Sequence, residues 1–220
     1  MIKYSEEQMG TAFHYYMKHG QMHKIGHCFQ IFYEFSAMQG VADFIAVHRE
    51  GFIWRPSSVL YKLHTDSMVY SLLKKKAGRS KAYLYENVMA EKKSCNAAIS
   101  ELENAGIIFE KGGLYYQSDM IDNTSTTIWA FELKLSDWKR AIFQCLQYQA
   151  YANYSVAVFP DSKFKVLNDN LHYFIDLNIG VLLFNPIDRK GKWLFYPRKS
   201  TGKMSEARAY VLLKIHNLGK

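Results

Sequence analysis

The sequence predicts an α/β fold: a mixed central sheet flanked by helices, interrupted by a small inserted lobe. Three observations carry that expectation. Residues 127–133, 155–159 and 180–184 are short apolar runs that read as buried strands. A helical stretch lies between the first two, and a strand–helix–strand order implies a right-handed parallel crossover. Residues 63–118 differ from their surroundings, with three helical segments followed by a hairpin carrying Gly112-Gly113.

Length and composition are consistent with this. At 220 residues the chain is one elaborated domain or one domain with a small module, and 49% apolar residues allow a sizeable core. The net charge of +8, with 16 Tyr and 14 Phe, suits nucleic-acid binding, although a plain basic soluble protein fits the charge equally. Cys28, Cys95 and Cys145 are odd in number, far apart and without C-x-x-C. A disulfide framework or cysteine zinc site is therefore not expected, and a reducing cytoplasm is the natural setting. No apolar run is long enough to span a membrane, and the N-terminus carries no signal-peptide core.

Taking the chain in order, Ser5 to Gln8 form a capping-box pattern. Met9, Phe13, Tyr16 and Met17 recur at helical spacing, and Gly20 is placed to stop the helix. Glu6 and Glu7 fall in the first turn, where the helix dipole favours a carboxylate. Residues 27–35 and 41–48 read as two strands joined at 37–40. Asp43 shares a face with Ile45 and Val47, which is unfavourable unless it meets a partner or a metal. His19, His23 and His27 repeat every four residues, but Gly20 and Gly26 interrupt that helix, so they read as solvated side chains in preference to zinc ligands.

In the inserted segment, Thr65 is the expected cap of a helix running to Leu73, closed by Lys74-Lys75-Lys76. A second helix covers 82–90. Ser94 is the expected cap of a third, over 95–104, which buries Ala98, Ile99 and Leu102. Residues 107–116 form the hairpin. Three helices and a hairpin resemble a winged helix-turn-helix, with the third helix in the recognition position. The resemblance implies DNA contacts by Lys92, Lys93, Ser94 and Asn96, with Lys75, Lys76, Arg79 and Lys81 adding charge. Glu101 and Glu103 oppose deep groove insertion, and use of the module for packing or dimerisation stays open. The expected boundaries are 1–62 with 119–220 for the sheet domain and 63–118 for a lobe that closes its own core.

Glu132-x-Lys134 places a carboxylate and an ammonium on one face of an otherwise apolar strand, with Phe131 and Leu133 on the other. A buried charge pair there needs compensation, which a metal supplies. Glu91-x-Lys93 repeats the spacing in a polar turn and serves as a decoy. Ser136 is the expected cap of the next helix. Residues 169–177 read as a helix, 193–196 as a strand, and 205–217 as a helix with Ala209, Leu212, Leu213 and His216 along one side.

Together these pieces resemble the PD-(D/E)xK nuclease superfamily, the restriction-endonuclease-like fold. The matching residues are the N-terminal helix, Gly40-Val41-Ala42-Asp43, Glu132-Leu133-Lys134, Ala141-x-x-Gln144-x-x-x-Tyr148 and the strand 156–159. The proline of the family's name is replaced by Ala42. The resemblance implies that Asp43, Glu132 and the Leu133 carbonyl bind Mg²⁺, with Mn²⁺ as a substitute. It makes Asp43, Glu132, Lys134 and Gln144 the catalytic set, with Lys134 steadying the transition state and Gln144 orienting water or a phosphate oxygen. Glu34 and Glu7 are further candidates. The implied function is metal-dependent DNA cleavage, and a homodimer is compatible with it. A non-catalytic DNA-binding protein of the same fold and an RNA-directed nuclease are the competing readings.

Overall fold

The structure, a computed structural model, describes residues 4–19, 29–49, 63–121, 123, 125–201 and 204–218. Gly20, His23, Gly26, His27 and the expected strand start at 27–28 lie outside the described residues. The chain divides into two compact units, one of residues 1–50 with 126–201 and the other of 51–125 with 202–220.

The first unit opens with helix α1 (Glu6–Lys18). The capping box forms as read: the Ser5 side chain accepts from Gln8 N, and Gln8 Oε1 accepts from Ser5 N at 3.0 Å. Strands β1 (Phe29–Ala37) and β2 (Gly40–Arg49) make an antiparallel pair. After the second unit intervenes, the chain returns as β6 (Thr126–Leu133), α5 (Trp138–Tyr148) and β7 (Tyr154–Pro160). Then come α6 (Phe164–Asp169), α7 (Leu171–Asp176), β8 (Gly180–Asn185) and β9 (Lys190–Phe195).

These strands form one mixed six-stranded sheet in the order β1-β2-β6-β7-β8-β9. β6, β7 and β8 run parallel; the other pairings are antiparallel. Strand alternation divides the apolar residues between two faces. Val156 and Val158 join Phe44, Phe131, Leu182 and Phe184 under Met9, Phe13, Tyr16 and Met17 of α1. Ala157 and Phe159 join Val181 and Leu183 under Ala141 and Cys145 of α5 and Leu167 and Phe174 of α6 and α7. The result is a helix–sheet–helix sandwich, which is the predicted α/β class.

The second unit holds α2 (His64–Leu72), β3 (Arg79–Ser80), α3 (Lys81–Asn87) and α4 (Lys92–Asn104). The hairpin β4 (Ile108–Lys111) and β5 (Leu114–Gln117) and the helix α8 (Glu206–Leu218) complete it. Its three-stranded sheet, β3-β5-β4, is separate from the sheet that carries Glu132. Gly112 and Gly113 take φ of 61° and 78°, the left-handed pair that a two-residue hairpin turn requires.

Several boundaries differ from the reading. α2 begins at His64 with no side-chain cap, so Thr65 lies inside it. α3 is capped by Ser80 and ends at Asn87. α4 starts at Lys92, so Ser94 lies in its first turn and does not cap it. Asp137, one residue after Ser136, caps α5 by accepting from Arg140 N at 3.0 Å. The helix expected over 169–177 is two short ones that meet at Asn170. Capping is settled by where the first turn begins, and neighbouring Ser, Thr and Asp offer nearly equal caps.

The larger difference is α8. Expected with the sheet, it is grouped with residues 51–125 and packs on α2. Ala207, Arg208, Ala209, Val211, Leu212, Leu213, Ile215 and His216 are all buried, so its apolar surface extends well beyond one stripe. Arg208 reaches Asn123 through Nε, and burial lowers its pKa to about 10.

Candidate functional site

The site lies in the first unit, where β2 and β6 run side by side. Phe44 pairs with Phe131, and one step further the same register sets Asp43 opposite Glu132. Leu133 N donates to Asp43 Oδ2 at 2.7 Å. Lys134, one residue past the strand end, folds back so that Nζ is 2.6 Å from Glu132 Oε1 and donates to the Leu133 carbonyl at 3.2 Å. The structure therefore brings Asp43, Glu132, Leu133 and Lys134 together from positions 91 residues apart at the extremes.

Glu132 is 1% exposed. The Lys134 ammonium meets Oε1 in a short charge-assisted contact. The other oxygen, Oε2, lies 2.5 Å from the Tyr148 hydroxyl on α5. That hydroxyl also lies 2.7 Å from the Val41 carbonyl. It has one proton and two acceptors, and a carboxylate is the stronger of them. Burial, then the bond to Glu132, pushes the Tyr148 pKa far upward, so the phenol stays protonated and serves as a fixed donor.

Burial and the charge of Glu132 raise the Asp43 pKa to about 6, against the opposing pull of the Leu133 N–H and Lys134. Burial alone would lower the Lys134 pKa. Its pairing with Glu132 and the charges of Asp43 and Glu6 outweigh that, and the net shift is upward. Lys134 is thus held as a cation. One ammonium beside a buried and a half-buried carboxylate leaves the site short of positive charge.

A cleft of about 350 Å³ opens beside Asp43 and Leu133, with Glu6, Glu7 and Gly10 of α1 and Glu34 of β1 on its walls. Glu6 Oε1 accepts weakly from Leu135 N at 3.4 Å. Glu34 lies opposite Asp43 in the β1–β2 register and takes φ of 40°, and the strand pairing lapses at that position. A non-glycine residue in the left-handed region costs roughly 1–3 kcal/mol, and such strain collects at functional sites. Among the described residues no group of three or more His, Cys, Asp or Glu is arranged to hold a metal.

No family model matches this chain, and no curated protein or solved structure matches it significantly. What the site can do is decided by its chemistry.

Gln144 lies on α5, where its Oε1 is buried and has no hydrogen-bond partner among the described residues. Two residues of that helix were given no role by the sequence reading. Tyr148 holds Glu132. Gln147 Oε1 would stand 3.0 Å from a Cβ at Gly40, whose φ of 111° already favours glycine. The signal for Tyr148 was its spacing of four from Gln144, which sets both on one side of α5. Glu6, read as a dipole residue, also faces the cleft.

Lys92, Lys93, Ser94 and Asn96 belong to the second unit. The first three are exposed on the opening turn of α4. Lys92 Nζ lies 5.7 Å from the centre of the Tyr85 ring. Asn96 is half-buried, and its Oδ1 accepts from the Tyr85 hydroxyl at 2.6 Å, so its side chain is already engaged. Lys75 is paired with Asp119 at 2.7 Å. Cys95 and Cys145 are buried free thiols, both with pKa raised chiefly by burial, which makes them unreactive.

Proposed function

We propose that the chain is a metal-dependent phosphodiesterase acting on DNA, an endonuclease of the PD-(D/E)xK type. One observation carries this: Asp43, Glu132 and Lys134 meet where adjacent strands run side by side, with Asp43 on the wall of an open cleft and with more negative charge than the protein neutralises. A pair of neighbouring like-charged carboxylates, one buried and one half-buried, is costly unless a cation or proton joins them.

The residues fit a hard divalent cation. Glu132 Oε1 faces the Lys134 ammonium, Asp43 is pushed toward protonation, and the Leu133 carbonyl is adjacent. All are oxygen donors, which suits Mg²⁺ or Mn²⁺ with retained waters. When bound, the ion supplies Lewis acidity and a more acidic water. Asp43 and Glu132 hold the cation and fix its place against the cleft. Tyr148 keeps Glu132 in one rotamer. Lys134 presents its ammonium to the developing charge on phosphate oxygens. Gln144, with its spare buried oxygen, orients a water.

The order α2–β3–α3–α4–β4–β5 supports reading the second unit as a winged helix-turn-helix, with Lys92 and Lys93 on phosphates. A second reading, a non-catalytic DNA-binding protein, is favoured by the ion pair and phenol that already serve Glu132, and by the absence of a third carboxylate, His or Cys in a ligand cluster among the described residues. Incubation with plasmid, linear and single-stranded DNA and with RNA, with and without Mg²⁺ or Mn²⁺, decides between them. Metal-dependent nicking supports the nuclease, and intact DNA at every metal concentration refutes it.

A further inference from the structure

The exposed face of α1 carries a second concavity that the carboxylate site does not use. It has a volume of about 530 Å³ and lies between α1 and the β8–β9 turn, with Lys18, His19, Tyr15 and His14 on one side and Arg189 on the other. Gln8, Thr11, Tyr15, Lys18 and His19 recur every three or four residues and form one solvent-facing stripe. The buried stripe of Met9, Phe13, Tyr16 and Met17 lies on another side of the same helix.

The concavity is built around a stack. The Arg189 guanidinium carbon lies 4.0 Å from the centre of the Tyr15 ring. The His19 ring is parallel to Tyr15 within 20° at 3.7 Å. Tyr15 thus carries a cation and a stacked imidazole against one ring. His19 is anchored by its Nδ1, 2.8 Å from the Tyr15 carbonyl. Arg189 reaches its place from a left-handed backbone, φ 53°, in a turn where Asn185 Oδ1 accepts from Ile187 N and Asp188 N. A strained residue held over an aromatic ring is a positioned cation.

No Asp or Glu is among the described residues that line this concavity. Its positive character is felt within it: burial first, then Lys18 and His19, lowers the His14 pKa. Thr11 lines both this concavity and the carboxylate cleft, so the two adjoin on α1. From Gln8 to Lys18 the helix rises about 15 Å at 1.5 Å per residue. That span is long enough to meet neighbouring phosphates of one DNA strand.

We propose that this groove binds the phosphate backbone of DNA flanking the cleft, with Lys18 and Arg189 each neutralising one phosphate. It deepens the nuclease reading by giving the first unit its own grip on the strand, and it rests on that reading only for what the grip is for. Backbone contacts of this kind position the duplex and carry no sequence information.

The test is metal-free binding of a fluorescent 20-base-pair DNA duplex in EDTA across a salt series, by anisotropy. Two lost phosphate contacts should flatten the slope of log K against log[salt] by about 1.8 and weaken binding ~60-fold at 0.1 M salt, for 0.9 per contact. The Lys18→Gln/Arg189→Gln protein is expected to show both while remaining folded at the assay temperature by circular dichroism, because both side chains are exposed. Arg189→Lys alone should keep the slope. The charge-matched Lys139→Gln/Lys165→Gln protein, altered at exposed positions of α5 and α6, should change it by much less. An unchanged slope in the groove variant, or an equal loss in the control, overturns the proposal. Plasmid cleavage in Mg²⁺ by the unaltered protein is read separately. Cleavage with an unchanged slope removes the groove and keeps the nuclease; a changed slope without cleavage does the reverse.

Discussion

Asp43→Asn should stabilise the metal-free protein at neutral and alkaline pH, because its carboxylate is held in a place that disfavours its charge. The folded pKa is about 6 against an ordinary 3.8. The folded state therefore holds the proton more tightly than the unfolded state. Stability contributed by the protonated form is complete below pH 4, falls as pH rises from about 4 to 6, and stays low above that. Two units correspond to about 3 kcal/mol, which partial exposure of Asp43 reduces to about 1–2 kcal/mol. An amide cannot ionise, so the variant lacks the fall, while its oxygen still accepts from Leu133 N. For a chain of this size the gain is about 2–8 °C in thermal midpoint at pH 8 in EDTA. At pH 4.5 the difference should shrink to about a third. Added Mg²⁺ should raise the midpoint of the unaltered protein more than that of the variant, since the ion replaces the missing positive charge. Equal midpoints at pH 8, or the same gain at both pH values, would refute the electrostatic account of the site.

Asp43→Ala and Glu132→Ala should each abolish metal-dependent cleavage of plasmid, and Lys134→Ala should slow it by roughly 10²- to 10⁴-fold. Gln144→Ala should cost less, and Glu91→Ala and Lys93→Met should leave the rate at saturating DNA unchanged; wild-type cleavage by purified Glu132→Ala protein would sink the mechanism. Tyr148→Phe removes a donor from a buried carboxylate, so it should lower stability by about 1–3 kcal/mol in EDTA and weaken Mg²⁺ retention measured by calorimetry. Charge reversal at Lys92 and Lys93 should flatten the salt dependence of DNA binding by about 1.8 without unfolding, both being exposed; an unchanged slope would take α4 out of the interface.

The sheet and the carboxylate pair were legible because they follow strand alternation. Phe131 and Leu133 go to one core, which leaves Glu132 on the other face at Asp43's register. Helix α1 was legible because Ser5 and Gln8 mark its start and Met9, Phe13 and Met17 its buried side. Tyr148 was harder. Its bond to Glu132 depends on how α5 is rotated over β6, which no local pattern records. Glu34's left-handed backbone was likewise invisible, since glutamate has no preference for it. The placement of α8 failed for a related reason. A helix with so much of its surface buried does not say in sequence which surface receives it.

That placement bears on how the protein acquires its structure. α8 follows the whole of the first unit in the chain, yet it covers α2, more than 130 residues earlier. Emerging N-terminus first, residues 63–121 meet a solvent without the helix that buries α2, and they wait while the sheet strands β6 to β9 are made. Contacts of such long sequence separation form late and slowly. During that interval the surface that receives α8 is open to chaperones or to another nascent copy. A peptide of residues 63–125 should accordingly associate or melt easily, and adding a separate 204–218 peptide should protect the amides of α2 from hydrogen exchange.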